Sequence, residues 1–456
     1  MEASEASAAP SRLGMRGTVL VGATLFSMFF GAGNLILPPL LGVQAASSTV
    51  PAMIGFFVTG VGLPVLGIVA VALAGTVREL ADRVHPVFSR VFVAAVYLAI
   101  GPCLAIPRTS STAFEMLVPL LPEGVSVEVV RLAFSIAFFA VAYALAMRPG
   151  RLTRLLGRIT GPALIALIVA VVGSSIAALA SAPALPDAAA SAPYDSNAAV
   201  QGFLTGYQTM DLLASLTFGL VIATNIREMG ITEPRGVMRE VCRAGVIAGA
   251  LMMAIYGGLA AVGFELSSQL AGATNGAEVI TVSARTHFGL AGTLVVAAIF
   301  LLACLNVCIG LISCCGTYFS GELPRVSYRA WAVGFAAFSC FVSNFGLDAI
   351  LAFSVPLLNA LYPVSIVLVV MGMLHGACDR VPLVWPLTTC FAGVASVACA
   401  LRDAFAPGTW IPPRRAAPRR HGPRLGRARA HRRVAGRLPL TRTSRAGALR
   451  DRGFFA

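Results

Sequence analysis

The sequence predicts an all-α membrane protein built on an inverted repeat of five plus five transmembrane helices, with an eleventh helix and an aberrant tail. Three observations predict this class. Hydrophobic residues make up 57% of the chain and charged residues 12%, against about 25% charged residues in a soluble domain. The apolar runs are of the length that a bilayer-spanning helix needs. Arginines concentrate in alternate loops, which is typical of cytoplasmic loops in membrane proteins.

Eleven apolar segments can be delimited along the chain. Their approximate bounds are 17–42, 50–75, 91–112, 127–147, 159–181, 200–226, 244–264, 289–320, 330–345, 347–374 and 383–401. With residues 1–16 in the cytoplasm, 16 of the 20 arginines before residue 411 fall in inside loops. Five crossings end outside, so a second set of five is inverted relative to the first. We therefore expect a membrane domain at 17–401, with repeats at 17–181 and 200–374 and an extra helix at 383–401.

The first segment is interrupted in its middle. It reads TVLVGATLFSMFFGAGNLILPPLL from Thr18, with Gly31, Ala32, Gly33 and Asn34 at its centre. A backbone released from its helix inside a membrane must find other partners or line a wet cavity. Broken helices at mid-depth are where secondary carriers hold substrates and ions. The alternative is a glycine-rich surface for helix packing.

The sixth segment, which would begin the second repeat, carries polar residues in a similar place. It contains Asp211 and then Ser215, Thr217 and Gly219. Polar residues near glycine at corresponding places in both halves indicate a central site. Asp211 would serve in gating or proton handling, or would form a hydrogen bond between helices.

Four stretches resemble one family in character and in order. They read FFGAGNLILPPLLG, IGPCLAIPRTSSTAFE, GYQTMDLLASLTFGLVI and NFGLDAILAFSVPLLNALYP, within 15–401. They are similar to the branched-chain amino acid:cation symporters, the bacterial BrnQ-type carriers. The resemblance implies a LeuT-like fold. It also implies sodium-driven import of leucine, isoleucine and valine by alternating access across a bacterial inner membrane.

The resemblance also implies a site. The backbone at Ala32 and Gly33 would meet the substrate carboxylate, and an unwound part of segment six, 214–219, would meet the ammonium and side chain. The predicted substrate-binding residues are Phe29, Gly31, Ala32, Gly33, Asn34, Ala214, Ser215, Thr217, Phe218 and Gly219. The cation-coupling candidates are Ser27, Phe30, Asn306 and Asp211. For Phe29, Phe30 and Phe218, packing in the core or against lipid is the alternative.

Segment eight departs from the family pattern. It reads CLNVCIGLIS where a pair of hydroxyl residues is expected to supply sodium. The oxygen of Asn306 can ligate sodium, whereas Val307 cannot and the soft sulfur of Cys308 is a poor ligand for a hard cation. The sodium site is therefore uncertain, and proton coupling or weakened transport becomes an alternative. No cofactor is expected besides this coupling ion.

Charged residues within the spans are usually paired or functional. Arg108 lies seven residues before Glu115, so both could share a helix face. We predict a structural charge pair for these two residues near the outer interface.

Other function classes find little support. The histidines lie in loops, at segment ends or in the tail, and no H-E-x-x-H motif occurs, so an enzyme is not expected. The alternatives to the leading prediction are a permease for other small apolar amino acids and a transport-dead truncated homologue. The expected partners are an amino acid and the lipid bilayer, without nucleic acid, in a monomer or weak dimer.

The tail at 402–456 is predicted to be disordered. Residues 411–456 contain 14 arginines and one acid. After eleven crossings this tail would lie outside, against the arginine asymmetry of the loops. One hypothesis is translation out of frame, with the lost frame encoding a twelfth helix. The alternative is a basic tail that binds anionic lipid or nucleic acid.

Overall fold

The computed structural model describes residues 12–122, 124–147, 151–381 and 383–405. The described residues form helices and connecting turns, without a β-strand among them. Most of the predicted N-terminal segment and the tail from 406 onward lie outside these ranges, so both tail hypotheses stay predictions. The proposed domain bounds also stay predictions.

The helices follow the predicted segments closely. They are α1 Met15–Phe29, α2 Ala32–Ala45, α3 Thr49–Phe57, α4 Leu63–Ala74, α5 Val77–Asp82, α6 Pro86–Leu98, α7 Ala105–Glu115, α8 Val127–Ala146, α9 Arg151–Ser181, α10 Tyr194–Tyr207, α11 Asp211–Glu228, α12 Pro234–Glu265, α13 Gly276–Glu322, α14 Tyr328–Ser343, α15 Leu347–Met373, α16 His375–Cys378 and α17 Val384–Phe405. π-Helical turns at Val58–Gly62 and Ala99–Cys103 join α3 to α4 and α6 to α7.

By length and composition, eight helices of the described chain can span a membrane, or nine if the bent pair α10 and α11 forms one span. The eleven predicted segments are compatible with this smaller number. The stretch Gly33–Ala74 enters this number once, although α2, α3 and α4 lie within it and Ala46, with a φ of +42°, separates α2 from α3. The ninth segment forms α14, which has only 16 residues.

Both predicted breaks exist, but the second lies earlier in the chain than expected. α1 ends at Phe29 and α2 begins at Ala32, as the glycines predict. α10 ends at Tyr207 and α11 begins at Asp211, and the two helix axes differ by 46°. The predicted unwound stretch 214–219 is helical, so that prediction is wrong.

The physical reason is local. The hydroxyls of Ser215 and Thr217 donate to the carbonyls of Leu212 and Ala214 within α11, at 2.6 and 2.8 Å. Polar side chains satisfied in this way need no break in the helix. The chain instead turns at Met210, whose φ of +65° is left-handed and uncommon for a residue other than glycine.

Close backbone packing joins the helices that carry the breaks to their neighbours. A Cβ atom at Gly42 of α2 would overlap the backbone of α12 at Ala260, and one at Gly202 of α10 would overlap α3 at Ala52. Small residues allow such close approach of membrane helices. A separate apolar cluster unites α7, α8, α13 and α14. The broken helices therefore pack closely on α3 and α12, and α13 packs both in this cluster with α7 and in the core that holds α1 and α2.

Candidate functional site

The two helix breaks meet at one small cavity of about 60 Å³. The break between α1 and α2 and the start of α11 form one side of it, and α7 and α13 contribute the other. The lining residues are Met28, Phe29, Gly31, Gly33, Asn34, Ile100, Ala105, Arg108, Thr109, Thr209, Met210, Asp211, Ala214, Phe218, Val307 and Leu311. The cavity therefore lies where residues of both breaks face α7 and α13.

A buried hydrogen-bond network connects the two breaks. The Asn34 amide nitrogen donates to the Phe29 carbonyl at 3.0 Å, across the first break, and to the Asp211 carboxylate at 2.9 Å. The Tyr256 hydroxyl of α12 donates to the same carboxylate at 3.2 Å. Asn34 thus occupies a carbonyl that the interrupted helix leaves free, and it holds Asp211 at the start of α11.

Two helices begin beside this cavity, and at the second of them the Asp211 N–H donates to the Thr209 hydroxyl at 3.3 Å. α2 starts at Ala32 after Gly31, and α11 starts at Asp211 after Met210. The first N–H groups of a helix have no partner within that helix. Such ends attract anions through the N–H groups and the helix dipole. At α11 the buried Asp211 carboxylate already benefits from this field.

Arg108 reaches the cavity from α7. Its side chain is buried, and Nη1 donates to the carbonyl of Gln208 in the second break at 2.7 Å. The guanidinium also lies against Gly33, where an added Cβ atom would overlap it. One buried cation therefore touches both breaks.

The remaining lining is mainly apolar. Phe29 and Phe218 pack with their ring centroids 5.8 Å apart. Ile100, Val307 and Leu311 contribute aliphatic side chains. A few polar groups in an otherwise apolar cavity are typical of small-molecule sites.

The predicted substrate residues divide into two sets. Phe29, Gly31, Gly33, Asn34, Ala214 and Phe218 line the cavity, and Ala32 contributes the backbone that begins α2. Ser215 and Gly219 instead pack against Gly67 and Val71 of α4, and Thr217 is also absent from the lining. Positions four apart share a helix face, so 214 and 218 face the cavity while 215 and 219 do not. That the lining residues bind substrate remains a prediction.

The cation-coupling candidates are not gathered at one place. Asp211 lines the cavity, whereas Phe30 packs behind it on Tyr256, with ring centroids 6.4 Å apart. Ser27 is exposed on α1, and Asn306 is half-buried but outside the lining. Val307 occupies the cavity wall in its place. Among the described residues, no group of three His, Cys, Asp or Glu side chains could hold a metal ion.

The predicted pair of Arg108 and Glu115 is wrong, because no ion pair between them exists in the described chain. Seven residues of α-helix separate the two positions by about 10 Å along the axis. Glu115 lines a different cavity with Glu278 and Arg285.

Several lining residues escaped the sequence analysis. Thr209 and Met210 belong to the misplaced second break, and Tyr256, which bonds Asp211 from outside the lining, lies in a span with no distinguishing motif. Arg108 was predicted only as a partner of Glu115, and the Gly-Pro pair at 101–102 is the local signal that could have placed it at a site. Gly101 has non-helical φ and ψ of −100° and −125° within the π-helical turn, and such turns are frequent at functional sites.

The fold is that of the LeuT class of membrane carriers. A mutant manganese transporter of Eremococcus coleocola matches with a TM-score of 0.55 and 13% identity, covering 90% of this chain and 91% of that chain. MhsT in complex with L-phenylalanine matches with a TM-score of 0.51 and 16% identity, covering 86% and 99%. The predicted fold class is confirmed.

Sequence comparison names the family. Residues 15–412 match the model described as "Branched-chain amino acid transport protein", and the chain belongs to that family. The branched-chain amino acid permease BraB of Bacillus subtilis is 39% identical over 364 residues, 79% of this chain and 81% of the relative. A branched-chain amino acid transport system 2 carrier protein of Pseudomonas aeruginosa is 40% identical over 355 residues, 77% and 79%. The family and these relatives are transporters.

Proposed function

We propose that this chain is a secondary carrier that imports leucine, isoleucine and valine by alternating access. It would act in the bacterial inner membrane with its N-terminus in the cytoplasm, coupled to sodium or protons. The observation that carries the proposal is the cavity where two helix breaks meet. It offers the N-terminus of α2, one buried carboxylate and an aliphatic and aromatic wall.

These features complement the parts of a branched-chain amino acid. N–H groups at the start of α2 suit a carboxylate. The Asp211 carboxylate and the carbonyls freed at the breaks suit an ammonium group. Phe29, Phe218 and Val307 suit a branched aliphatic side chain, because such a chain gains free energy when it leaves water for an apolar wall.

Alternating access is supported by where the cavity lies. Both breaks line one side of it, and α7 and α13, which pack with α8 and α14, line the other. A relative movement of the two sides would open the cavity first to one side of the membrane and then to the other. The hydrogen bond from Arg108 to the Gln208 carbonyl connects the two sides, in addition to their packing contacts.

The coupling ion would act through Asp211. A carboxylate can ligate sodium, which takes oxygen ligands as other hard cations do, or it can accept a proton. A change in charge at this residue would alter its bonds to Asn34 and Tyr256, which join three helices. Coupling and the positions of the two breaks would thereby be connected.

Uptake of labelled leucine into proteoliposomes tests the proposal, with sodium and proton gradients imposed separately. We expect saturable uptake that one of the gradients drives and that unlabelled isoleucine and valine inhibit. Stronger inhibition by alanine than by valine would favour a permease for smaller amino acids. No uptake under either gradient, in protein shown to be folded, would contradict the proposal and favour a transport-dead homologue.

A further inference from the structure

We propose that Arg108 binds the carboxylate of the transported amino acid, and so determines that the site accepts amino acids rather than amines or amides. This inference rests on the proposed function of the same cavity. It replaces the predicted role of Arg108 as half of a structural charge pair.

Arg108 lies where a substrate carboxylate would bind. Arg108 is 3% exposed and lines the cavity. It lies on α7, which carries neither break, yet it bonds the Gln208 carbonyl and lies on Gly33. A guanidinium at this place stands beside the N-terminus of α2, where a substrate carboxylate would also be attracted.

The charge of Arg108 is not balanced by a contacting carboxylate. Among the described residues, no carboxylate lies within 4.0 Å of Arg108. A buried cation without an anionic partner is strongly unfavourable unless a partner arrives. Asp211, the other charged residue of the lining, is instead held by Asn34 and Tyr256. The cavity therefore presents a cation and an anion that form no ion pair with each other, as a zwitterion requires.

The guanidinium of Arg108 has more N–H donors than its neighbours accept. A guanidinium has five N–H donors in a planar fork that matches a carboxylate with two parallel bonds. The described residues accept a single hydrogen bond from Arg108, at the Gln208 carbonyl. Donors therefore remain for a ligand in the cavity. Lysine would keep the charge but lose the fork.

The proposal also bears on coupling. A cation beside the substrate carboxylate is needed in a low-dielectric site, because an isolated anion is costly to bury. Arg108 supplies that charge from the protein itself. The coupling ion then has no need to contact the substrate carboxylate.

The test compares binding of leucine with binding of leucinamide, in which the carboxylate becomes a neutral amide. Purified wild-type protein, Arg108→Gln and Arg108→Lys are titrated with each compound by competition against labelled leucine and by thermal shift. Arg131→Gln is the matched control, because Arg131 lies over the Phe114 ring, 5.4 Å from its centroid, and outside the cavity lining.

We expect wild type to prefer leucine to leucinamide, and Arg108→Gln to weaken leucine binding by about 10- to 100-fold. Leucinamide binding should change much less, so that the preference collapses. Leucine binding by Arg108→Lys should fall between that of wild type and that of Arg108→Gln. Arg131→Gln should keep the wild-type preference for leucine.

Equal loss of both compounds in folded Arg108→Gln and Arg108→Lys would overturn the proposal, since a purely structural role affects every ligand alike. Unchanged leucine binding by Arg108→Gln, or an unchanged preference for leucine over leucinamide in that variant, would overturn it too. Wild-type protein that binds no leucine would instead contradict the proposed function, before any variant is compared.

Discussion

At the scale of single residues, Asn34 has a structural role that its sequence context indicated only in part. A polar residue beside glycines in an apolar segment predicts a wet or broken helix. Which atoms it contacts depends on a residue 177 positions away, Asp211. No local pattern could give that pairing, because it arises from packing of the two broken helices.

We expect Asn34→Ala to lower thermal stability more than Tyr256→Phe. The first change leaves both the Phe29 carbonyl and the Asp211 carboxylate with fewer donors, at about 1–3 kcal/mol for each buried group left unsatisfied. The second removes one hydroxyl, which donates to Asp211 and accepts from Asn34, and leaves the Phe29 carbonyl and the Asp211 carboxylate bonded by Asn34. Melting of the purified proteins in detergent measures the difference, and a larger loss in Tyr256→Phe would contradict the network.

Gly33 is needed for the position of Arg108. We expect Gly33→Val to reduce leucine uptake at least about 10-fold while the protein still inserts, because its Cβ atom would displace the guanidinium and weaken a charged hydrogen-bond partner. Gly310→Val is the control, since a Cβ atom there meets open space. Wild-type uptake by Gly33→Val would show that the close contact is unimportant.

At the scale of elements, the first break could be predicted and the second only approximately. Glycines mark the first, since they weaken a helix directly. The second depends on the left-handed Met210, and methionine carries no such signal. The hydroxyl residues that suggested a break further along bond instead within α11.

The two faces of α11 give an element-scale test. We expect Phe218→Ala to weaken leucine binding about 10-fold, from the loss of an apolar contact, and Ser215→Ala to leave it within about 2-fold. Phe218 lines the cavity, and Ser215 packs against Gly67 of α4. Titration of both variants with labelled leucine measures this, and the reverse order would show that α11 is rotated.

At the scale of the whole molecule, the fold class could be predicted, because apolar length and arginine placement are set by the membrane itself and four motifs resemble a family of LeuT-like carriers. The role of Arg108 was not. Its nearest acid in sequence, Glu115, suggested a local pair, whereas the fold directs Arg108 to the two breaks. The site is assembled from four separate stretches of chain, and only their packing brings these together.

Close packing of the broken helices onto their neighbours should be essential for folding. We expect Gly202→Leu to abolish the monodisperse peak of the detergent-extracted protein, since its side chain would collide with the backbone at Ala52. Gly334→Leu, where a Cβ atom meets open space, is the control. A normal peak for Gly202→Leu would contradict the close approach of α10 and α3.

The most direct measurement of the central claim is an experimental density map of the protein with bound leucine. We expect the leucine between the two breaks, with its carboxylate within about 3 Å of the Arg108 guanidinium, as a charged hydrogen bond requires. Its side chain should lie against Phe29 and Phe218. Leucine bound elsewhere, or either span continuing as an unbroken helix past Gly31 or Met210, would contradict the account.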